Sequence, residues 1–280
     1  MMIFLGSCNE SKKSETVQTK VENKEQRIVS LNGAITEIIF ELDPGAEVVG
    51  RDVTSTYPEW IKDSIQDLGH VRSLNIESLA DLKPTLILAA ENDLNSDLLR
   101  SIEGLKLNYK LFKQEFNVEG TKILINEVSD FIDNKETEPL LNKIDADLDK
   151  VESFENKPKV LFIYARGAGS MMVAGEGTPM ESIIELAGGQ NAVKGFKDFK
   201  PLTEEALLSN NPDVILLFDS GLESLGGKEG LLKSTPGVSQ TNAGKNKAII
   251  AMDGGLISDF GPRVGEAAYE LNKLLREYAE

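Results

Sequence analysis

ESLADLKPTLIL (77–88) and EALLSNNPDVIL (205–216) are two stretches of this chain that follow one plan, 128 positions apart. In each, a glutamate opens a helix-like run that reaches a proline seven positions later, and an apolar run follows. Proline ends a helix and disfavours the α conformation of the residue before it, so each stretch predicts a helix stop and then a buried strand. A second echo, IFEL (39–42) and IIEL (183–186), lies upstream of each stretch. Together the echoes predict two similar α/β lobes, each with its own sheet, and a cleft between them where a small ligand binds. The alternative is that proline before a strand is ordinary in α/β sequences.

Composition limits the classes of function. The chain has 280 residues, of which 40% are hydrophobic, so it suits one large or two medium domains with a substantial core. No stretch approaches the roughly 20 apolar residues that a membrane span needs. The formal net charge of −16 disfavours binding to nucleic acid or anionic lipid through bulk electrostatics, although a basic protein partner remains open.

Cys8 is the single cysteine, so no intrachain disulfide and no cysteine-based zinc cluster can form. The residues Leu5, Gly6 and Ser7 before it resemble the lipobox of a bacterial lipoprotein, in which the cysteine carries the lipid. The apolar run is shorter than a full signal peptide and no basic region precedes it. A free cysteine in a disordered tail is the alternative. Residues 1–26 therefore predict a signal remnant followed by a polar tether.

The remaining pattern divides into three parts. Residues 27–117 alternate strand-like and helix-like runs and predict the first lobe. Residues 118–157 have helical periodicity, with Pro139 at a first-turn position or a kink, and predict a helical connection. Residues 158–280 predict the second lobe, with a glycine-rich loop at 166–179.

His70 is the single histidine, on a predicted loop in LGHVRSL at 68–74. One histidine cannot build a histidine-rich metal site, but a neutral imidazole can supply one axial ligand to a haem iron. Arg72, two positions on, would point the same way in an extended loop, and arginine is a natural partner for the haem propionates. The alternative for His70 is an ordinary surface loop histidine, and the alternative for Arg72 is a surface salt bridge.

The glycine-rich loop offers a second group of candidates. Arg166 provides a cation, and Met171 or Met172 could pack on a flat ring or approach the iron, with core or loop packing as the alternative. The loop lacks the lysine and the glycine order of a phosphate-binding loop. With one histidine and no nucleophile elbow, the usual nucleophilic triads lack support, and no pair of carboxylates stands out from the 46 acidic residues.

Five segments together resemble the haem-binding substrate-binding proteins of bacterial ABC importers, within the wider class that also carries cobalamin and ferric siderophores. They are RIVSLNGAITEIIFELDPGAEVVGRDVTSTYPE, LGHVRSLNIESLADLKPTLIL, MVAGEGTPMESIIELAGGQNAV, GFKDFKPLTEEALLSNNPDVIL and GPRVGEAAY. The resemblance implies two Rossmann-like lobes joined by a single long backbone helix, with haem in the cleft between them. It also implies a monomeric, lipid-anchored binding protein of the periplasm or cell surface that delivers haem to a permease and is not an enzyme.

The resemblance also assigns roles to residues. His70 stands where these proteins usually have a tyrosine that binds the iron, and Arg72 matches an arginine near the propionates. Tyr57 is a fallback ligand, with a packing or rim role as its alternative. Glu77 and Glu205 match surface glutamates that meet arginines of the permease, although acidic residues also favour helix N-termini. A corrinoid or ferric siderophore is the alternative ligand, and a metal-dependent enzyme is the third hypothesis.

Overall fold

The computed structural model describes residues 26–133 and 136–279. Cys8 and most of the predicted tether lie outside these residues. The described chain forms two α/β lobes, each a sheet covered by helices, which confirms the predicted fold class. Within the described residues, no helix has the length and apolar character that crossing a membrane requires.

The first lobe contains a five-stranded sheet in the order β3-β2-β1-β4-β5, with every neighbouring pair parallel. Its strands are β1 (Ile28–Ser30), β2 (Val48–Arg51), β3 (Gln66–Asp67), β4 (Leu86–Ala90) and β5 (Tyr109–Phe112). Its helices are α1 (Gly33–Leu42), α2 (Ile61–Ser64), α3 (Ile76–Asp81) and α4 (Ser96–Gly104). All five residues of β4 are buried. Helices cover both faces of a parallel sheet, and this is why the sequence of β4 is apolar without interruption.

The second lobe contains a sheet in the order β11-β10-β6-β7-β9, with β8 paired to β6. Its strands are β6 (Lys159–Ala165), β7 (Met171–Ala174), β8 (Gln190–Asn191), β9 (Phe199–Pro201), β10 (Val214–Phe218) and β11 (Ile249–Met252). Its helices are α7 (Pro179–Leu186), α8 (Glu204–Asn210), α9 (Asp219–Ser224), α10 (Gly227–Ser234), α11 (Asn242–Asn246), α12 (Gly254–Ser258) and α13 (Val264–Ala279). Short 3-10 turns at Val71–Ser73 and Val238–Gln240 complete the two lobes.

The two lobes repeat one arrangement, as the echoed segments predict. The parallel path β8-β6-β10-β11 in the second lobe corresponds to β2-β1-β4-β5 in the first. Both helix-then-strand units are present, as α3 before β4 and as α8 before β10. The difference is that β7 and β9, which pair antiparallel, extend the second sheet beside β6. The glycine-rich loop predicted at 166–179 therefore contains a strand.

The connection between the lobes corrects the prediction of a single long helix. It consists of α5 (Val118–Phe131) and α6 (Glu138–Leu148). The backbone of Asp133 is left-handed, with φ of 60°, so α5 cannot continue through it. Pro139 lies in the first turn of α6, where its missing N–H costs nothing, and this confirms one of the two positions predicted for it.

One apolar core holds the connection to both lobes. Ile38 of α1, Leu124 of α5, Ile144 of α6 and Leu271 of α13 are all fully buried in it. Burial of each such side chain stabilises the fold by about 1.5–3 kcal/mol relative to exposure. Gly265 of α13 lies so close to the backbone oxygen of Ile144 that any Cβ would overlap it. The main helical partner of α5 is α1 of the first lobe, and that of α6 is α13 of the second.

The carboxyl edges of both sheets meet along the segment 253–263. Gln114, just after β5, donates from Nε2 to the backbone oxygen of Asp259 at 2.6 Å. A Cβ on Gly33, just after β1, would overlap the carboxylate of Asp259, and the Thr56 hydroxyl lies beside Gly255. Ligands of open α/β sheets bind at these carboxyl edges, so the fold places a ligand cleft here.

Candidate functional site

In the first lobe, the segment after each strand of the sheet carries a polar residue. These residues are Asn32 after β1, Asp52 after β2, His70 after β3, Asp93 after β4 and Gln114 after β5. Because the carboxyl ends of parallel strands lie at one edge of a sheet, the fold collects these residues on one wall of the cleft.

His70 lies on an exposed turn that its own side chain caps. Gly69 has a φ of 78°, a left-handed conformation that favours glycine, and it turns the chain out of β3. The Nδ1 atom of His70 then accepts a hydrogen bond from the backbone N–H of Arg72 at 3.2 Å. The buried side chain of Val71 anchors the turn. A neutral imidazole whose Nδ1 accepts carries its proton on Nε2, so binding iron through Nε2 requires this capping bond to break.

Arg72 is exposed beside His70, and no ion pair joins it to a carboxylate among the residues that the structure describes. Its charge nevertheless acts on Asp93. Burial raises the pKa of the Asp93 carboxyl, whereas the hydrogen bond from Asn32 and the charges of Arg72 and His70 oppose the rise. Arg72 and His70 therefore favour the charged form of Asp93, against the effect of its burial.

The opposite wall, on the second lobe, is aromatic. Tyr164 and Phe162 alternate along β6 on one face of the sheet, and both rings meet Phe218, with centroids at 5.9 Å and 4.8 Å. Phe199 of β9 adds a ring 6.4 Å from that of Tyr164. The Phe218 ring also lies beside Gly254, so this aromatic face is turned towards the segment 253–263 at the cleft.

Tyr164 and Arg166 form a pair at the end of β6. The Nε of Arg166 donates to the phenol oxygen of Tyr164 at 2.7 Å, and the guanidinium lies 5.3 Å from the centre of the ring. The positive charge of the guanidinium can offset the negative charge of a phenolate bound to ferric iron. The sequence prediction included Arg166 and missed Tyr164.

The two candidate methionines lie on opposite faces of the sheet. Met172 pairs directly with Tyr164, and paired residues of neighbouring strands share a face, so it belongs to the aromatic wall. Met171 packs with the other core of the second lobe, and its sulfur accepts a hydrogen bond from the Thr235 hydroxyl at 3.5 Å. Met171 therefore lies on the face of the sheet away from the aromatic wall.

Tyr57 lies at the contact between the lobes. The guanidinium of Arg263 is 3.7 Å from the centre of its ring. The same guanidinium forms an ion pair with Glu37 at 3.0 Å, and Glu37 is only 3% exposed. Burial raises the pKa of Glu37, and Arg263 opposes that rise. The Tyr57 ring therefore packs beside an ion pair that joins the two lobes.

Glu77 and Glu205 are exposed in the first turns of α3 and α8. Asn75 and Thr203 cap these helices, so each glutamate also has the position that the helix dipole favours. The capped turns hold the two carboxylates on matching elements of the two lobes.

Most of the chain matches one known protein family. The family described as "Periplasmic binding protein" matches residues 28–255. The chain belongs to the periplasmic binding protein family. This membership confirms the predicted class of a transport-associated binding protein, as opposed to an enzyme.

Three individual proteins illustrate what this chain is similar to. The structure of the periplasmic heme-binding protein RhuT from Roseiflexus sp. RS-1 in apo form has a TM-score of 0.86 and 36% identity, and the match covers 91% of this chain and 99% of that one. The high-affinity heme uptake system protein IsdE of Staphylococcus aureus (strain Newman) is 28% identical, over 79% of this chain and 75% of IsdE. The ABC transporter substrate-binding lipoprotein YvrC of Bacillus subtilis (strain 168) is 26% identical, over 90% of this chain and 80% of YvrC.

Proposed function

We propose that this protein captures haem in the cleft between its lobes and delivers it to an ABC permease. The observation that supports the proposal most strongly is the division of ligand groups between the walls. The first lobe exposes the imidazole of His70, and the second lobe presents the phenol of Tyr164 paired with Arg166 at 2.7 Å. Imidazole and phenolate are both known axial ligands of haem iron. The names of RhuT and IsdE agree with haem as the cargo.

Each group in the cleft has a defined part in this proposal. His70 binds the iron through Nε2 after its capping bond to the backbone N–H of Arg72 breaks. Tyr164 binds the opposite side of the iron as a phenolate, and Arg166 stabilises that negative charge. Arg72 forms charge-assisted hydrogen bonds with a propionate. The aromatic face at Phe199 and Phe218 packs against the porphyrin plane, where apolar burial and ring stacking add affinity.

Delivery depends on a separate surface. Glu77 and Glu205 meet arginines on the permease, one carboxylate from each lobe, and lipidation at Cys8 anchors the protein outside the cytoplasm, at the periplasm or cell surface, through the tether at 9–26. The exposed, matching positions of the two glutamates support the first point, and the name of YvrC agrees with the second. The protein acts as a monomer in this scheme, because each copy contributes both carboxylates.

Transport measurements test the docking surface. Glu77→Arg and Glu205→Arg should each lower haem delivery to permease-containing vesicles by about tenfold, because like charges repel across the contact, while leaving hemin affinity unchanged. Glu155→Arg, on an exposed loop outside α3 and α8, is the matched control and should transport normally. Delivery at the normal rate by both variants would remove the docking role.

Ligand specificity is tested by titrating the full chain with hemin, cyanocobalamin and a ferric hydroxamate siderophore. The proposal expects saturable hemin binding with a shifted Soret band and much weaker binding of the other two ligands. Preferential binding of cyanocobalamin or the siderophore would overturn haem as the cargo and make the role of His70 incidental.

A further inference from the structure

A chain of side-chain hydrogen bonds joins the first wall of the cleft to the second lobe. The Nδ2 of Asn32 donates to Oδ2 of Asp93 at 2.9 Å and to Oε1 of Gln114 at 3.0 Å. The Nε2 of Gln114 donates to the backbone oxygen of Asp259 at 2.6 Å. Asn32 also caps α1 through Oδ1, which accepts a hydrogen bond from the backbone N–H of Ile35. Both the oxygen and the nitrogen of the Asn32 side-chain amide are therefore hydrogen-bonded.

The first end of this chain belongs to the wall that carries His70 and Arg72. Asn32 and Asp93 follow β1 and β4 at the carboxyl edge of the sheet, and His70 follows β3 at the same edge. Arg72 and His70 also oppose the rise that burial causes in the pKa of Asp93. In the proposed function one iron is bonded to His70 of the first lobe and to Tyr164 of the second, so the separation of the lobes decides whether both ligands reach it.

The second end of the chain fixes the position of the other lobe. Two further contacts with the second lobe lie nearby in sequence. The ring of Phe116, in the same loop as Gln114, packs edge-on against that of Phe260 at 5.7 Å, and the hydroxyl of Thr121 in α5 donates to the backbone oxygen of Phe260 at 2.9 Å. Of the three residues that make these contacts, Gln114 is the one whose side chain is also hydrogen-bonded to Asn32.

We propose that Gln114 is a positioning residue that couples haem occupancy at His70 and Arg72 to the relative position of the lobes. This inference rests on the proposed haem function. A group bonded to both the ligand wall and the opposite lobe takes part in both equilibria, and such coupling is reciprocal: haem binding shifts the lobes, and the position of the lobes changes haem affinity.

Gln114→Leu removes both hydrogen bonds while keeping similar volume. It should speed hemin dissociation about fivefold to tenfold, a typical coupling between sites, and leave the Soret maximum in place because no iron ligand changes. Its effect should be non-additive with that of Arg72→Ala. Gln190→Leu is the matched control, because Gln190 donates from Nε2 to the backbone oxygen of Lys157 at 3.0 Å within the second lobe.

Interlobe distance supplies the independent measurement. Spin labels are attached through Ser78→Cys and Ser209→Cys, at exposed sites of α3 and α8, in full-length Cys8→Ser protein. Gln114→Leu should broaden the distance distribution of the apo protein and reduce the shift that hemin produces.

The outcomes separate the two proposals. Dissociation rates and distance distributions equal to those of Gln190→Leu would overturn the role of Gln114. Failure of the wild-type protein to bind hemin would instead overturn the proposed function, and an unchanged apo distribution in Gln114→Leu would then still refute its control of lobe position.

Discussion

The two walls of the cleft are built from corresponding parts of two similar lobes, yet their chemistry differs. The first wall consists of strand ends and a turn, and carries His70, Arg72 and the half-buried Asp93. The second wall gains β7 and β9, which pair antiparallel beside β6 and place Phe199 next to Tyr164. A shared fold therefore fixes where the walls lie, and the local additions decide which side chains each wall presents.

Under the proposed function, the two walls contact different parts of the flat, charged haem. A neutral imidazole and a cation on one side suit the iron and a propionate, whereas a phenol–guanidinium pair within an aromatic face suits the iron and the ring plane. Substitutions on the two walls should consequently have distinguishable effects.

Removing either of the two proposed iron ligands should have the largest effect. His70→Ala and Tyr164→Phe should each lower hemin affinity by about a hundredfold, or ~2.7 kcal/mol, and shift the Soret band, because each leaves the iron one protein ligand short. Tyr109→Phe is the matched control, since its hydroxyl donates to Glu103 at an exposed position of the first lobe. An unshifted spectrum in one of the two variants would assign the iron ligand to the other wall alone.

The two arginines should separate the roles of the walls. Arg72→Ala should weaken hemin binding about tenfold, or ~1.4 kcal/mol, with a salt-sensitive loss and an unchanged spectrum, because it binds a propionate. Arg166→Ala should weaken binding to a similar extent and shift the spectrum, because it supports the Tyr164 oxygen. The exposed Lys157→Ala controls for net charge. Equal spectral shifts in both arginine variants would contradict this division.

Asp259, between the walls, should control how stability varies with pH. Burial raises the pKa of its carboxyl well above the usual range, and the charges of Glu37, Asp52 and Asp253 raise it further. The folded state therefore holds a proton that the unfolded state releases near pH 4, so stability falls as pH rises from that value through the raised pKa.

Asp259→Asn should accordingly increase stability at neutral pH and flatten its decline with pH. Urea unfolding between pH 4.5 and 8 measures this, and the surface variant Asp81→Asn is the control. A decline in Asp259→Asn as steep as that of the wild-type protein would show that another group causes it.

The aromatic wall should give the smallest single effect. Phe199→Ala should speed hemin dissociation about threefold, or ~0.6 kcal/mol, because it removes one ring from a partly exposed face. Phe131→Ala is matched in exposure, at 39% against 38% for Phe199, and lies on α5 away from this wall. A dissociation rate equal to that of the control would exclude Phe199 from the binding surface.

The sequence predicted the repeated part of the fold because uninterrupted apolar runs and prolines mark its strands and helix ends. Predictions based on such runs missed β7 and β9. Met171–Ala174 is short and follows a glycine-rich turn, and Phe199–Pro201 contains a lysine and a proline that disfavour a strand. The single connecting helix was wrong because the left-handed Asp133 lies between two helical patterns that look continuous in sequence.

The candidate site was only partly predictable for a similar reason. His70 and Arg72 occur together in a polar loop and are visible in sequence. Tyr164 lies inside KVLFIYA, where a strand with both faces covered shows no alternation that would single out the cleft face. The available signal was the two-residue spacing of Tyr164 and Arg166 at the end of the strand. Asp259 and Gln114 are 145 positions apart, so only the fold brings them together.

A crystal structure of the hemin complex would show directly whether haem binds between the lobes. We expect one haem iron there, bonded to Nε2 of His70 and to the phenol oxygen of Tyr164, with a propionate at Arg72. Haem bound outside the cleft, or iron bonded to Tyr57 with His70 still capping its turn, would contradict this expectation.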